Sequence, residues 1–405
     1  MSHKVYVIGA GAAGMMAAIT AARQGKKVTI IEHRDKTGKK ILATGNGKCN
    51  FTNMYVDKEC YRGGNSDYIM DIYNSFDNNA AIDFFKHLGI YPKVKNGYVY
   101  PNSGQAASIS EVLKRELEYL NIEILTCVNT KEIIDNGNNR YTIVTDKGNY
   151  DADAVIIAAG STAAPKSGSD GSGYKLAKKL GHTIIPVLPA LVQLKSDSIF
   201  FKEVAGVRTD GSVRIMHGRE CVAKDSGELM LTDYGISGIP VFQVSRFASV
   251  LLNDGEKVVA KLDFLPDMDF SECKNYIRDR LYAYPDKSIR DNFTGMLNSK
   301  LLAAILKAAK IDENMNIQNL TEKQIIDITN MFKNYSVNIT GTNSFDSAQV
   351  CCGGVSLDEL KFHTLESKLH KGIFFAGEIL DVDGICGGYN LQWAWSSGYV
   401  CGINC

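Results

Sequence analysis

A glycine pattern at the N-terminus constrains this chain more than any other feature. The apolar run Lys4–Ile8 is typical of a β-strand, and residues 9–14 follow it with the sequence Gly-Ala-Gly-Ala-Ala-Gly. Residues 15–24 then have a helical composition, and residues 28–31 form a second β-rich run that leads into Glu32. This order predicts the strand, glycine turn, helix and second strand of a dinucleotide-binding unit.

Each glycine of the turn has an expected physical role. Gly9 would allow the tight turn out of the strand, and Gly11 would let a pyrophosphate approach the backbone. Gly14 would let the helix pack closely on the strand, while the helix N-terminus offers free N–H groups to the phosphates. Glu32, which lies 18 residues beyond Gly14, would accept hydrogen bonds from a ribose diol.

The residues after Glu32 favour FAD over NAD as the bound dinucleotide. An NAD-dependent dehydrogenase usually continues into further strand–helix–strand units, whereas residues 38–53 of this chain are rich in glycine and asparagine. Such a stretch exposes many backbone donors and suits wrapping along an extended cofactor. A flexible loop is the alternative reading of the same residues.

Later segments match the order of elements in two-dinucleotide-type flavoproteins. After a strand at residues 122–128, residues 131–135 and 141–145 predict a hairpin across the Asn136-Gly137 turn. Residues 154–160 predict a buried strand that ends in small residues, which suits a position beside a cofactor.

The C-terminus supplies the last part of the predicted site. Residues 372–378 predict a strand that leads into a glycine turn, and residues 392–401 predict a closing helix. In folds of this kind, an acidic residue of this region lies beside the ribityl chain. The helix N-terminus points at the isoalloxazine, where its dipole stabilises negative charge on the reduced flavin.

Three motifs resemble those of a known family. They are Gly38-Lys39-Lys40 with Thr44-Gly45-Asn46-Gly47-Lys48-Cys49-Asn50-Phe51-Thr52-Asn53, then Cys352-Gly353-Gly354-Val355, and last Ala376-Gly377-Glu378 with Asp381-Val382-Asp383-Gly384 and Gly387-Gly388-Tyr389-Asn390-Leu391-Gln392. On these motifs the chain resembles the HI0933-like (BaiN-like) flavoproteins over its full length. The resemblance implies an NAD(P)/FAD-dependent oxidoreductase whose FAD fold is split by an inserted domain. One branch of the family is associated with reduction of conjugated double bonds in bile-acid intermediates.

The predicted fold class is α/β. A two-dinucleotide-type, Rossmann-like FAD-binding domain (residues 1–190 and 345–405) is split by an inserted substrate-side domain (residues 191–344). Within the insert, residues 191–260 are predicted as a small β-barrel or sandwich, and residues 270–335 are predicted as helical. The amphipathic helices are expected at Phe270–Ala283, residues 298–309 and residues 321–332.

The insert is predicted to cover the flavin and to form the substrate pocket. Residues 233–240 are interpreted as a loop that enters a short helix at residues 241–249, and the glycines of the loop would let it approach the flavin closely. Six side chains are expected to line the pocket, with the core of the insert as the alternative for each: Phe200, Phe201, Tyr234, Ile236, Ile239 and Phe242.

FAD is expected to bind non-covalently, because no histidine or cysteine lies in a recognisable attachment motif. The predicted cofactor-binding residues come from both parts of the split domain. They are Gly9, Gly11, Ala12, Ala13, Gly14, Glu32, His33, Lys39, Lys40, Thr44, Gly45, Gly47, Asn50, Thr52, Val128, Ala158, Ala159, Gly160, Gly377, Glu378, Asp383, Gly387, Gly388, Tyr389, Asn390 and Leu391.

The catalytic candidates near the flavin are Cys49, Tyr389 and Asn390, and each has a structural alternative as a packed residue. The vicinal pair Cys351-Cys352 is interpreted as two small core residues, since no CxxC motif supports a disulfide-reductase mechanism. NAD(P)H is a candidate electron donor. Because residues 168–173 have the wrong spacing for a second fingerprint, NAD(P)H would have to visit the flavin face.

Composition narrows the class of partner to a small-molecule substrate. The formal net charge of zero argues against a nucleic-acid binder, and no apolar run reaches the roughly 18 residues that span a bilayer. No signal peptide and no metal site are expected, and the ten cysteines are interpreted as reduced thiols of a cytoplasmic protein. The oligomeric state is left open.

The predicted function is that of an FAD-dependent oxidoreductase. A reductase would pass hydride from N5 of the reduced flavin to a small, largely apolar substrate, with conjugated enones among the candidates. Two alternatives stay open: a flavin oxidase or monooxygenase, and a flavoprotein that is non-catalytic or linked to RNA modification. Slow reoxidation by oxygen would favour the reductase, and fast release of hydrogen peroxide would favour the oxidase.

Overall fold

The chain folds into two compact units, seen in a computed structural model that describes residues 3–315, 317 and 320–405. Unit 1 combines Met1–Leu188 with Gln349–Cys405, and unit 2 is Pro189–Ala348. The strands are β1 (Lys4–Ile8), β2 (Lys27–Ile31), β3 (Thr52–Asn53), β4 (Tyr61–Gly63), β5 (Pro92–Lys95), β6 (Tyr98–Pro101), β7 (Glu123–Leu125), β8 (Thr130–Asp135), β9 (Tyr141–Thr145), β10 (Gly148–Ala152), β11 (Ala154–Ile157), β12 (Ile184–Ala190), β13 (Leu194–Lys195), β14 (Arg208–His217), β15 (Glu220–Thr232), β16 (Gly235–Ser237), β17 (Val258–Asp263), β18 (Tyr335–Ile339), β19 (Gly341–Thr342), β20 (Val350–Val355), β21 (Ile373–Phe375) and β22 (Val382–Gly384). The helices are α1 (Ala12–Arg23), α2 (Lys39–Ala43), α3 (Ser66–Ser75), α4 (Asn78–His87), α5 (Ala106–Tyr119), α6 (Ser172–Lys179), α7 (Phe200–Glu203), α8 (Ile239–Asn253), α9 (Phe270–Ala283), α10 (Ile289–Phe293), α11 (Ser299–Ala308), α12 (Glu322–Lys333) and α13 (Tyr389–Asn404).

A five-stranded parallel sheet with the order β21-β11-β1-β2-β7 forms the centre of unit 1. Strands that are buried on both faces have nearly continuous apolar sequences, and β11 is buried at every position. From β1 the chain proceeds to β2 and β7 on one side, and it returns to β11 and β21 on the other. The strand order therefore reverses between β1 and β11, which is where sheets of this type bind ligands.

The first and last helices of unit 1 pack directly on each other. A Cβ atom on Gly398 of α13 would lie 2.5 Å from the carbonyl oxygen of Ala13, and one on Gly402 would lie 2.6 Å from that of Ala17. Glycine at these two positions lets the two backbones approach more closely than any larger residue would allow. The C-terminal helix thus completes unit 1 beside the helix that follows the glycine turn.

The elements predicted for unit 1 are present, with some different ends. The predicted hairpin is confirmed as β8 and β9, and β10 extends it into a three-stranded antiparallel sheet. Helix α1 begins at Ala12, earlier than predicted, and α13 extends beyond the predicted closing helix at both ends. The strand predicted at residues 122–128 ends at Leu125, shortly before Cys127 adopts a left-handed conformation with φ 54°.

Unit 2 is built on a seven-stranded antiparallel sheet with the order β18-β17-β14-β15-β16-β13-β19. Strands β17 and β18 alternate between buried and more exposed residues, as expected where one face packs on a core. The three predicted helices are confirmed as α9, α11 and α12. Capping boxes begin two of them, formed by Asp269 with Glu272 and by Thr321 with Gln324.

Two predictions for the insert are wrong. The sheet is open rather than a barrel, since its end strands β18 and β19 pair only with β17 and β13 within the described residues. The predicted loop at residues 233–240 contains β16, and the helix that follows is the longer α8. Pairing of β16 with β13 and β15 turns Ile236 inward, so Ile236 joins Phe200 and Phe201 in the core of unit 2, the alternative that the sequence left open for them, while Ile239 is 61 % exposed.

Three features are not found among the described residues. No helix there has both the length and the apolar character needed to cross a membrane. No disulfide bond is formed, and no group of three or more histidine, cysteine or acidic side chains is arranged to hold a metal ion.

Candidate functional site

The glycine turn between β1 and α1 leaves open space in front of the helix. Gly9 has φ 103°, and a Cβ there would lie 2.5 Å from the carbonyl oxygen of Ala158. A Cβ on Gly14 would lie 1.9 Å from the carbonyl oxygen of Gly9, whereas one on Gly11 would meet no atom within 4 Å. Helix α1 begins at Ala12 without a capping side chain or an acidic residue in its first turn. Its first N–H groups therefore fit an anion such as the pyrophosphate of FAD.

Glu32 is a buried carboxylate at the end of β2. It is 7 % exposed and accepts backbone N–H groups from Ala10 at 2.7 Å and Arg34 at 2.8 Å. Burial opposes its ionisation, but hydrogen bonds from the His33 side chain and from these two N–H groups hold the pKa of Glu32 below its ordinary value. The hydrogen bond to Glu32 in turn raises the pKa of His33, whose Nδ1 lies 3.2 Å from the carboxylate. An ionised acceptor thus lies beside the glycine turn.

Two polar nitrogens next to Glu32 lack a hydrogen-bond partner in the protein, although His33 Nε2 lies 3.9 Å from the Asp170 carboxylate. Among the residues that the structure describes, His33 Nε2 and Arg34 Nε are buried without a hydrogen bond. The loop before α6 packs over them, because a Cβ on Gly168 would lie 3.3 Å from the Arg34 side chain and 3.4 Å from the His33 ring. Buried polar atoms are nearly always paired, so these nitrogens fit a bound polar group at this end of the site.

The two sequence segments of unit 1 meet at an ion pair. Lys40 Nζ lies 2.5 Å from the carboxylate of Glu378, and the Ser161 hydroxyl donates to the same oxygen at 3.2 Å. The neighbouring Gly377 has φ 79°, and a Cβ there would lie 2.7 Å from Cβ of Ala13. These contacts place Glu378 beside the first turn of α1, on the same side of the unit as the open space at the glycine turn.

A buried polar network joins β3 to the start of α13. The Asn53 side chain donates to the carbonyl oxygen of Gly387 at 2.9 Å, and the Thr52 hydroxyl donates to the Gln392 side chain at 2.6 Å. These partners lie 334 and 340 residues apart in the sequence. A Cβ on Gly388 would lie 2.8 Å from the Thr52 backbone, so glycine allows the turn before α13 to approach β3 closely.

The loop between α2 and β3 has an unusual backbone. Gly45, Asn46, Gly47 and Cys49 have φ angles of 54°, 53°, 81° and 55°. Gly45 and Gly47 are exposed, while Asn50, where the loop ends, is buried and accepts the Val99 N–H through its side chain at 3.1 Å. The loop therefore presents exposed backbone between two fixed ends, as expected for a segment that wraps a cofactor.

The three predicted catalytic side chains are engaged in packing. Burial raises the pKa of Cys49 to about 12, so its thiol stays protonated at neutral pH. The Asn390 amide donates to the carbonyl oxygen of Gly384 and accepts its N–H, both at 2.8 Å. Tyr389 is 5 % exposed, packs edge-to-face on Tyr61, and has a raised pKa because of its burial. Their part in catalysis stays a prediction, and their observed part is to shape the site.

The other predicted cofactor residues lie on the same elements of unit 1. The Val128 N–H donates to the carbonyl oxygen of Glu32 at 3.0 Å, and Asp383 is 3 % exposed on β22, which pairs with β4. Lys39 instead forms an ion pair with Asp35 at 2.7 Å. The remaining positions lie at the carboxyl end of β11, in the first turns of α1 and α13, or at the start of the loop after α2: Ala12, Ala13, Thr44, Ala158, Ala159, Gly160 and Leu391.

Sequence reasoning missed two tyrosines that the fold brings to this region. Tyr98 and Tyr100 lie on β6, which pairs with β3. The alternation Tyr-Val-Tyr is the signal for a strand with both rings on one face. Which face adjoins the glycine loops depends on the tertiary fold, so that signal alone does not identify a site.

Comparison with known proteins identifies the family. Residues 3–404 match the family described as HI0933-like protein Rossmann domain. The chain belongs to this family. A 3-dehydro-bile acid delta(4,6)-reductase of Clostridium scindens is 42 % identical, over 99 % of this chain and 98 % of that protein. A ribosomal RNA dihydrouridine synthase of Escherichia coli is 30 % identical, over 98 % of this chain and 96 % of that protein.

A solved structure supports the fold of this family member. The 3-ketosteroid delta1-dehydrogenase of Sterolibacterium denitrificans superposes with a TM-score of 0.50 over 99 % of each chain, at 10 % identity. This likeness concerns the fold alone. The predictions of an HI0933-like family member and of an FAD-dependent oxidoreductase are confirmed, and the Rossmann-type part of the predicted fold class is confirmed with them.

Proposed function

We propose that this HI0933-like protein reduces a carbon–carbon double bond conjugated to a carbonyl group in a small, largely apolar substrate. The observation that carries the proposal is the 42 % identity, over 99 % of the chain, to a bile-acid delta(4,6)-reductase. The dihydrouridine synthase relative is named for saturating a uracil ring, whose double bond is also conjugated to a carbonyl. Conjugate reduction is therefore the chemistry that these relatives share.

We propose that FAD is held by the residues of unit 1. The N-terminus of α1 would bind the pyrophosphate, Glu32 and His33 the adenosine ribose, and Glu378 with Lys40 the chain between phosphate and ring. The support is the open space at Gly11, the two nitrogens beside Glu32 that lack a hydrogen bond, and the uncapped helix start. When bound, FAD supplies a hydride to carbon and accepts electrons from a donor such as NAD(P)H.

The start of α13 fits the ring end of the cofactor. Gly388 precedes the helix in a left-handed conformation, and no side chain caps the helix N-terminus. Free N–H groups and the positive end of the helix dipole stabilise negative charge nearby. The network through Thr52 and Asn53 fixes this helix start against β3.

An anaerobic two-step assay tests the proposed function. The purified holoprotein is first titrated with NADH and then with NADPH, and bleaching of the flavin reports the donor. The reduced protein is then mixed with a 3-oxo-4,6-diene steroid, and we expect the flavin to reoxidise as the substrate loses its conjugated absorbance. Absence of reoxidation with all conjugated steroids and simple enones would contradict the proposal.

Uridine in ribosomal RNA is the second candidate substrate, because two relatives at 29 % and 30 % identity are named ribosomal RNA dihydrouridine synthases. The formal net charge of zero gives an RNA complex little electrostatic support. The same reduced protein, mixed with protein-free ribosomal RNA, separates the two candidates. Formation of dihydrouridine, detected by mass spectrometry of nucleosides, would favour RNA over the small molecule.

A further inference from the structure

Two tyrosines of β6 present their rings on one face of the strand. Val99 is fully buried, whereas Tyr98 and Tyr100 on either side of it are half-buried. Successive side chains of a strand point to opposite faces, so the two phenol rings share the face opposite Val99. β6 is held in register by β3, with Thr52 opposite Val99.

The two rings lie next to two glycine segments proposed to hold FAD. A Cβ on Gly387, in the turn before α13, would lie 2.9 Å from Cε1 of Tyr98. A Cβ on Gly45, in the loop after α2, would lie 3.7 Å from Cε1 of Tyr100. Glycine at 387 therefore leaves room for the Tyr98 ring, whereas Tyr100 lies at van der Waals distance from the Gly45 position, so both rings lie beside the segments expected to surround the flavin ring.

The hydroxyl groups distinguish this pair from the buried tyrosines of unit 1. Four of those donate to protein acceptors: Tyr61, Tyr68, Tyr73 and Tyr141. Within residues 3–315, 317 and 320–405, the hydroxyls of Tyr98 and Tyr100 form no hydrogen bond to the protein. Burial, with a smaller effect of Tyr98, raises the pKa of Tyr100, so that phenol is a protonated donor throughout the neutral range.

We propose that the Tyr98 and Tyr100 hydroxyls bind the carbonyl oxygen of the conjugated substrate and stabilise the negative charge that forms on it during reduction. This assignment rests on the proposed function. These two half-buried phenols lie beside Gly45 and Gly387 with hydroxyl hydrogens that no protein acceptor takes. Donors aimed at a developing oxyanion are a general means of lowering such barriers.

The two phenol hydroxyls keep their protons throughout the reduction. A hydride supplied by the reduced flavin would add to the carbon β to the carbonyl, and the electron pair of the double bond would move through the α carbon to the carbonyl oxygen. The two O–H groups stabilise the resulting enolate oxygen. The α carbon then takes a proton from water, the carbonyl re-forms, and the substrate has gained two electrons and two hydrogens.

Three variants test the assignment: Tyr98→Phe, Tyr100→Phe and the double variant. The matched control is Tyr91→Phe, at a 76 % exposed tyrosine just before β5. The first readout is binding of a conjugated enone to the oxidised holoprotein. A carbonyl that accepts hydrogen bonds absorbs at longer wavelength, and we expect this red shift in the wild type and the control, and its loss in the double variant.

The second readout is the rate of flavin reoxidation by the enone, after reduction with dithionite. We expect each single variant to be slower by about 100-fold, as for removal of one oxyanion donor, with unchanged flavin content. An unchanged red shift and rate in the double variant, with a wild type that reoxidises, would overturn the assignment alone. A wild type that neither binds nor reduces any conjugated enone would overturn the proposed function and the assignment with it.

Discussion

At the residue scale, glycines of one turn have separable tasks. A Cβ at Gly14 would collide with the carbonyl oxygen of Gly9 at 1.9 Å, whereas a Cβ at Gly11 would project into space free of protein atoms within 4 Å. Gly14 is therefore needed by the fold. Gly11 is needed only if a ligand comes close to the backbone at that point.

Alanine substitution separates the two tasks. We expect Gly11→Ala to keep the thermal stability of the apoprotein but to weaken FAD binding by at least about tenfold, because its methyl group would occupy the pyrophosphate position. Gly14→Ala should instead lower stability or prevent folding. The measurements are flavin-to-protein ratio and thermal unfolding of apoprotein. A Gly11→Ala protein that is purified with full flavin would contradict the proposed position of the pyrophosphate.

The Glu32–His33 pair predicts a pH dependence of stability. The folded protein binds the His33 proton more tightly than the unfolded chain does. The resulting contribution to the free energy of unfolding is complete below the ordinary histidine pKa of 6.5, and it is lost as the pH rises through the raised pKa of His33 in the folded protein. The Asp170 carboxylate also faces the ring and adds to the rise, and the Arg34 side chain opposes it. Glu32 stays ionised in this range because its own pKa is lowered.

Comparison with His33→Gln measures this contribution. The difference in unfolding free energy between wild type and variant should be on the order of 1 kcal/mol near pH 6 and should shrink as the pH rises above 6.5. His87→Gln, at an exposed histidine of α4, is the matched control and should show no such trend. A difference that stays constant with pH would show that the ring acts by packing alone.

At the element scale, the start of α13 is fixed by hydrogen bonds that only the folded chain contains. Gln392 is fully buried, accepts the Thr52 hydroxyl at 2.6 Å, and donates to the carbonyl oxygen of Phe76 at 2.9 Å and to the Ser396 hydroxyl at 3.0 Å. One side chain thus joins α13 to β3 and to the end of α3. Helix position and cofactor geometry depend on the same contacts.

We expect Gln392→Ala to lower the free energy of unfolding by about 3 kcal/mol, because it leaves buried polar groups unpaired and opens a cavity. Flavin affinity should fall in the same variant, since the helix start is no longer fixed. Denaturant unfolding and flavin release check both effects, with Gln105→Ala at an exposed position as the control. Loss of stability without any change in flavin affinity would argue against a place for this helix start in the cofactor site.

At the scale of the whole molecule, the residues proposed to bind FAD all lie in unit 1, although unit 2 interrupts its sequence. The chain leaves unit 1 at β12 and returns to it at β20, and these two strands pair with each other. The Cys352 thiol lies 3.7 Å from the carbonyl oxygen of Leu188, so the two ends of the interruption are close in space. The substrate-side role of unit 2 stays a prediction.

Removal of unit 2 tests this organisation. A chain in which a linker of about five residues replaces residues 189–348 should fold cooperatively and bind FAD, because the linker needs only to join neighbouring strands. Thermal unfolding followed by circular dichroism and by flavin fluorescence should give one coincident transition. A chain that stays unfolded, or folds without binding FAD, would show that unit 1 is not sufficient for the cofactor site.

The sequence by itself determined the features that depend on short-range chemistry. The strand, glycine turn and helix from β1 to α1 follow from backbone sterics within a few residues. The capped helices α9 and α12 were predictable because periodicity and capping residues lie within the helix itself. The same local reasoning was wrong about the barrel and about the loop at residues 233–240, which contains β16, since strand pairing partners are not neighbours in sequence.

Only the tertiary structure decided which distant groups meet. The Thr52–Gln392 bond joins residues 340 apart, and the Lys40–Glu378 pair joins residues 338 apart. Nothing in either local sequence specifies such a partner, because the contact arises from the packing of α13 on α1 and the strand order of the central sheet. The placement of Tyr98 beside Gly387 has the same origin: a strand pattern sets which side chains share a face, and only packing decides what that face meets.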